Sequence, residues 1–199
     1  SFFDGDRGPR AVPGTYKVRI IAKERTQTES FEIKKDPRLS TTQEDYQKQF
    51  DLAIEIRNKL TELNNAIGKI RYVRHQVQNL TSTLKEAGYG DELTQASHML
   101  SEKLTSVEQQ LIQTEYEKGA DMMINVGPRL DNRFNYVSRV VLGSEARPTN
   151  GSYESFKDLE LELAQHLDRL KKILEGDVVA FKETIQEKNI SPVMMPTKK

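Results

Sequence analysis

Two histidine–carboxylate pairs stand out among the residues able to do chemistry. His98 precedes Glu102 by four positions, and Glu162 precedes His166 by four. On a helix that spacing puts both side chains on one face, where an imidazole and a carboxylate can share a divalent cation. A stable site needs three or four ligands. A di-metal bundle would supply them with Glu-x-x-His motifs on two helices, but Gln95 stands three residues before His98 and Leu163 three before His166. Both pairs are therefore read as helix-surface pairs. Asp158, Glu160 and Glu162 crowd one short stretch. Acid–base hydrolysis of a glycoside needs two carboxylates flanking a cleft, whereas a cluster near a helix start is a solvated face that complements the dipole. Lys69, Arg71, Arg74 and His75, with Tyr72, form a basic and partly aromatic patch. It reads as a solvent face or as an interface within a larger protein. Asp4-Gly5-Asp6 lacks the further oxygen ligands of a calcium loop and reads as a turn. There is no Gly-x-Ser-x-Gly and no glycine-rich phosphate loop. No catalytic, cofactor-binding or metal-ligating residue is assigned, no cofactor is expected, and the chain itself is not expected to be an enzyme.

The elements that carry these residues are mostly helical. The chain has 199 residues, 36% hydrophobic and 30% charged, a polar balance that suits long helices with solvated faces. Lys plus Arg equals Asp plus Glu at 30 each, which argues against nucleic-acid binding through a basic surface. No apolar run reaches the ~18 residues that span a bilayer. The absence of cysteine excludes thiol catalysis, disulfides and cysteine-ligated zinc. A chain opening on Ser1 is read as a mature or excised piece of a longer protein.

The longest pattern runs from Thr41 to Ala87. Tyr46, Phe50, Ala53, Ile56, Leu60, Leu63, Ile67, Ile70, Val73, Val77, Leu80 and Leu84 recur every three or four residues, which predicts one apolar stripe on a helix on the order of 70 Å long. Ser40 with Gln43, or Thr41 with Glu44, offers a capping box, and Gly88 and Gly90 end the helix. Asp91 caps a second helix with Leu93, Ala96, Leu100, Leu104, Val107 and Leu111, expected to reach Tyr116. Residues 117–127 break the pattern, with Met122, Met123, Ile124 and Val126 packed on the bundle. A third helix carries Leu130, Phe134, Val137 and Val141 and stops at Gly143. Thr149 or Ser152 caps the last, with Phe156, Leu159, Leu163, Leu167, Leu170, Leu174, Val178, Phe181 and Ile185, running to Lys188. Ahead of the helices, Tyr16, Val18 and Ile20 alternate with Lys17 and Arg19, and Phe31 and Ile33 with Glu32 and Lys34. This is a hairpin bent through a longish loop, Glu24–Glu29. Two strands are marginal alone, so they read as the last strands of a β-sandwich continued upstream.

One run, Arg7-Gly8-Pro9-Arg10-Ala11-Val12-Pro13-Gly14-Thr15-Tyr16-Lys17-Val18-Arg19, is followed by the strand exit Lys35-Asp36-Pro37-Arg38 and then Gln49-Phe50-Asp51-Leu52-Ala53. With Pro128-Arg129-Leu130-Asp131-Asn132 and Ala146-Arg147-Pro148-Thr149, it resembles the C-terminal region of bacterial proteins with sortilin-like or BNR-type (sialidase-like) β-propeller repeats. The resemblance covers essentially the whole chain. It implies an immunoglobulin-like segment followed by a helical tail, an upstream propeller in the same polypeptide, and a periplasmic or extracellular location. A chain without tryptophan holds no Asp-box, so the "glycosyl hydrolase" label of such proteins is carried to no residue here.

The expected fold is mainly α. A β-hairpin remnant of an immunoglobulin-like segment (1–38) precedes a long antiparallel three-helix bundle with a broken middle leg (39–190), then a tail (191–199). A four-helix bundle is the alternative. The expected function is that of a non-catalytic accessory module for assembly or partner binding. Its partners would be the upstream propeller of the same polypeptide or a second copy in a homo-oligomer, with no nucleic acid and no membrane span. Two other readings stand beside it: a module assisting a glycan- or peptide-active propeller, and a small-ligand or metal site between helices.

Overall fold

The computed structural model describes residues 8–86, 91–114 and 127–188. It is mainly helical, with a two-stranded antiparallel hairpin, β1 (Gly14–Ala22) and β2 (Arg25–Ile33), ahead of the helices. The helices are α1 (Gln43–Glu86), α2 (Asp91–Leu111), α3 (Leu130–Leu142) and α4 (Asn150–Lys172). A π-helical turn (Ile173–Asp177) leads from α4 into α5 (Val178–Glu187). The turn read at Asp4–Asp6, the glycine stop at Gly88 and Gly90, the apolar positions Met122–Val126 and the tail at 191–199 lie outside the described residues, and Asp91, expected as a cap, is the first residue of α2.

The chain divides into two compact units, Ser1–Leu60 with Phe134–Asp158, and Thr61–Arg133 with Leu159–Lys199. In the first unit, the start of α1 is antiparallel to α3. Tyr46, Leu52, Ala53 and Ile56 of α1 are buried, as are Phe134, Val137 and Val141 of α3 and Phe156 of α4. The Phe134 and Phe156 rings meet edge to face with centroids 6.3 Å apart, a favoured aromatic geometry. The α1 capping box falls one residue later than expected. The Thr42 hydroxyl accepts from the Asp45 N–H at 3.2 Å, and the Asp45 carboxylate accepts from the Thr42 N–H at 3.1 Å. Thr41 instead donates to the Glu145 carbonyl at 2.5 Å. Buried Gln49, inside the α1 stripe, donates through Nε2 to the Val141 carbonyl at 2.6 Å and also to that of Ser144. It thereby satisfies carbonyls that the end of α3 leaves free. Gly143 closes that end because a Cβ there would stand 2.9 Å from the Arg139 carbonyl oxygen.

In the second unit, α2 runs antiparallel to α1. The Thr81 hydroxyl donates to Ser97, Leu84 packs on Leu93, and Arg74 reaches Thr105 and Glu108. The last helices run antiparallel to α2 through Arg169–Ser106, Lys103–Asp177 and Lys188–Glu92. Leu63, Ile67, Ile70 and Val77 of α1 are buried, as are Leu100, Leu104, Val107 and Leu111 of α2. Four expectations are corrected here. The α2 helix ends at Leu111 rather than Tyr116. The last helix is interrupted by the π turn, and Ile173, three residues after Leu170, is buried where Leu174 is expected. Leu167 is only half-buried. The hairpin bend is the two-residue turn Lys23–Glu24, since Ala22 pairs with Arg25. Lys23 takes φ +54° there, so β2 begins six residues before Phe31.

Leu63 is fully buried, so Leu63→Ala should cost about 2–5 kcal/mol of stability. Exposed Glu62→Ala should stay within about 0.5 kcal/mol, and half-buried Leu167→Ala should fall between them. Urea midpoints rank the three; equal small shifts would refute the helix register.

Candidate functional site

The polar candidates resolve into surface pairs and one buried charge. His98 Nδ1 lies 3.5 Å from Glu102 Oε2, with both side chains largely exposed. They line a shallow groove of about 430 Å³ together with Gln78, Ser101 and Thr105. Every residue lining it is of a polar type, and no aliphatic or aromatic side chain forms a wall against which a small organic molecule could bury surface. The second pair is not a pair of free ligands: both Glu162 oxygens accept from Arg133 Nη1, at 2.8 and 2.7 Å. Partial burial holds the His166 pKa below the usual histidine value, Glu162 pulls it back up, and Arg169 lowers it further. Burial also raises the Asp131 carboxyl at the start of α3, against the backbone hydrogen bonds it accepts. Among the described residues no three His, Asp or Glu side chains come together as metal ligands. The helix carrying Asp158, Glu160 and Glu162 begins at Asn150 with no acidic residue in its first turn. These carboxylates therefore lie beyond reach of its dipole, contrary to the reading from sequence.

The basic patch divides. Lys69, Tyr72 and His75 remain exposed; Arg74 turns onto α2, and Arg71, with its side chain still 56% exposed, reaches α2 through its Nε. Glu108, 1% exposed, accepts from Arg71 Nε at 2.6 Å and from Arg74 Nη1 at 2.5 Å, and Arg74 also donates to Thr105 at 3.0 Å. The acidic partner of the patch is thus internal. Sequence reasoning missed Glu108 although a signal was present. It sits between Val107 and Leu111 and four residues after Leu104, on the apolar face of α2, where a carboxylate needs a counter-charge.

The hairpin gives the opposite picture. From the register, Tyr16, Val18 and Ile20 of β1 share a face with Phe31 and Ile33 of β2, and Lys17 and Arg19 share the other with Thr28, Ser30 and Glu32. Near the base, Tyr16 donates to the Val12 carbonyl at 2.6 Å and stacks obliquely on Phe31 at 6.0 Å. Gln43 donates to the Pro13 carbonyl at 2.7 Å and Lys35 to that of Thr41 at 3.2 Å. Glu145 accepts from Arg10 at 3.3 Å and from Tyr46 at 2.9 Å. Farther out the apolar face is uncovered: Val18 is 45% exposed, Ile20 63% and Phe31 47%, with Ile21 of the other face at 68%. The sheet has two strands, so each presents an unpaired outer edge among the described residues. No helix among those residues is long and apolar enough to cross a membrane.

Comparison of the chain with protein-family models, with curated proteins and with solved structures finds no match.

Two predictions follow from the buried charge and the shifted imidazole. Removing both Arg71 and Arg74 leaves Glu108 buried without a counter-charge. The Arg71→Ala/Arg74→Ala variant should lose about 3–5 kcal/mol, more than the two single variants together, and adding Glu108→Leu should recover part of it. A double-mutant cycle in urea measures this. A histidine with a lowered folded-state pKa takes up its proton first in the unfolded chain. Stability should therefore fall as pH drops below about 6.5 through the lowered folded value. His166→Gln should flatten that part of the stability–pH curve and leave the plateau above pH ~7.5 unchanged.

Proposed function

We propose that this chain is a non-catalytic module for assembly or partner binding, whose helices hold the β1–β2 hairpin out as the docking element. The observation that carries the reading is the hairpin itself. Nine residues on each strand are paired, the base is tied down by Gln43, Lys35 and the Tyr46–Glu145–Arg10 contacts, and yet Val18, Ile20 and Phe31 stay uncovered. An isolated pair of strands is marginal in water, and an open edge bearing apolar side chains invites a further strand. Anchoring such a hairpin firmly makes physical sense when something covers it. The resemblance in sequence to the helical tails of sortilin-like or BNR propeller proteins supplies a partner in keeping with this: β structure upstream in the same polypeptide.

Amide hydrogen exchange tests the reading. The outward amides of the hairpin, those of Lys17, Arg19 and Ile21 on β1 or of Thr26, Thr28 and Ser30 on β2, should be protected at least tenfold more in the longer polypeptide that includes the upstream region than in this chain alone. Equal exchange in the two would overturn the proposal. The sequence upstream of Ser1 tests the parentage: Asp-boxes or propeller blades there support it, and their absence removes it.

A further inference from the structure

The two edges of the hairpin are not equivalent, and the difference specifies what can dock. A two-residue turn closes on the hydrogen-bonded pair Ala22–Arg25. Hydrogen-bonded and non-hydrogen-bonded pairs then alternate back along the strands. Tyr16, Val18 and Ile20 spend their backbone groups on β2, while Thr15, Lys17, Arg19 and Ile21 point theirs to the open side of β1. The corresponding outward residues of β2 are Thr26, Thr28, Ser30 and Glu32. A strand added beside β2 would lay the same side chains against Phe31 near the base but against Glu29 and Gln27, the β2 partners of Val18 and Ile20, over the outer half, so most of its apolar side would meet polar groups. Beside β1 the same side chains would meet Val18 and Ile20, the uncovered ones. On the opposite face a strand beside β1 meets Lys17 and Arg19, both exposed and neither in an ion pair among the described residues.

We infer that the open edge of β1 takes, by strand addition, an extended segment in which apolar residues alternate with acidic ones. Its apolar side chains continue the Tyr16–Val18–Ile20 face, its carboxylates lie against Lys17 and Arg19, and its backbone bonds to Thr15, Lys17, Arg19 and Ile21. The charges also argue against a second copy at this edge. Two antiparallel β1 strands would set Lys17 and Arg19 against their own kind, which is destabilising across a strand pair. This inference rests on the hairpin being the docking element and adds which edge is used and what chemistry it accepts.

The test uses the whole chain and two nine-residue peptides, one alternating valine with glutamate and one alternating valine with lysine. The glutamate peptide should bind at least tenfold more tightly, more weakly as salt rises, and should slow exchange of the Lys17, Arg19 and Ile21 amides without affecting Thr26, Thr28 and Ser30. The double variant Lys17→Glu/Arg19→Glu should reverse the preference. Lys17→Gln/Arg19→Gln should abolish it and keeps the test valid should charge reversal disturb the hairpin. No binding of the glutamate peptide at about 1 mM, equal binding of the two peptides, or protection along β2 would overturn the inference. If the hairpin amides are nonetheless protected in the longer polypeptide, the docking role survives and only the choice of edge and partner chemistry falls.

Discussion

A helix of 44 residues with one apolar stripe cannot bury that stripe against itself, and the arrangement of the other helices answers this constraint. Within the first unit the start of α1 meets the end of α3, whose Phe134 meets Phe156 of α4, and within the second the remainder of α1 is met by α2. The buried positions Ile56, Leu63 and Ile70 are spaced by seven, the repeat that keeps one face of a long helix against its neighbours. Apolar burial supplies the driving force, at about 25 cal/mol per Å², but it does not choose which turn of one helix meets which turn of another.

Polar groups placed inside those faces make that choice. Gln49 interrupts the apolar face of α1 and ends on the carbonyls of Val141 and Ser144, so the start of α1 fits the end of α3 at one height. Glu108 interrupts the apolar face of α2 and meets two arginines spaced by three on α1. A slip by one turn would leave each of these groups buried and unsatisfied, a penalty of about 1–3 kcal/mol for the amide and more for the carboxylate. Such groups add little net stability when satisfied and a large cost when misplaced, which is how they fix register.

The hairpin follows a different rule. Its base is held by hydrogen bonds to the helical part, while its apolar side chains farther out have nothing laid over them. The helices bury their stripes and leave scattered apolar side chains such as Val140 and Leu161 exposed, whereas the hairpin leaves Val18, Ile20 and Phe31 of one face uncovered together. The proposed docking role of the hairpin rests on this difference, and the proposed partner strand on the basic residues Lys17 and Arg19 of β1.

The apolar periodicity by itself determined that the chain is mainly helical, where four helical stretches lie, and that a hairpin precedes them. Period-two and three-to-four spacings are local properties that survive without knowledge of neighbours, and they placed Leu63, Leu104, Phe134 and Leu163 in the core. Boundaries were less legible. The Thr42–Asp45 box, the end of α2 at Leu111 and the tight Lys23–Glu24 turn each depend on a choice among adjacent residues with similar propensities. The π turn was invisible, because the Ile173–Asp177 stretch carries no spacing or composition that sets it apart from the α-helix around it. The same holds for the candidate site. Sequence showed Arg71 and Arg74 as part of a basic face and Val18 and Ile20 as half of a strand pattern. Only the tertiary structure decided that both arginines are spent on buried Glu108, and that the apolar side of the strand is left uncovered among the described residues. Whether a side chain is spent or available depends on what lies across from it, and that neighbour is tens of residues away along the chain.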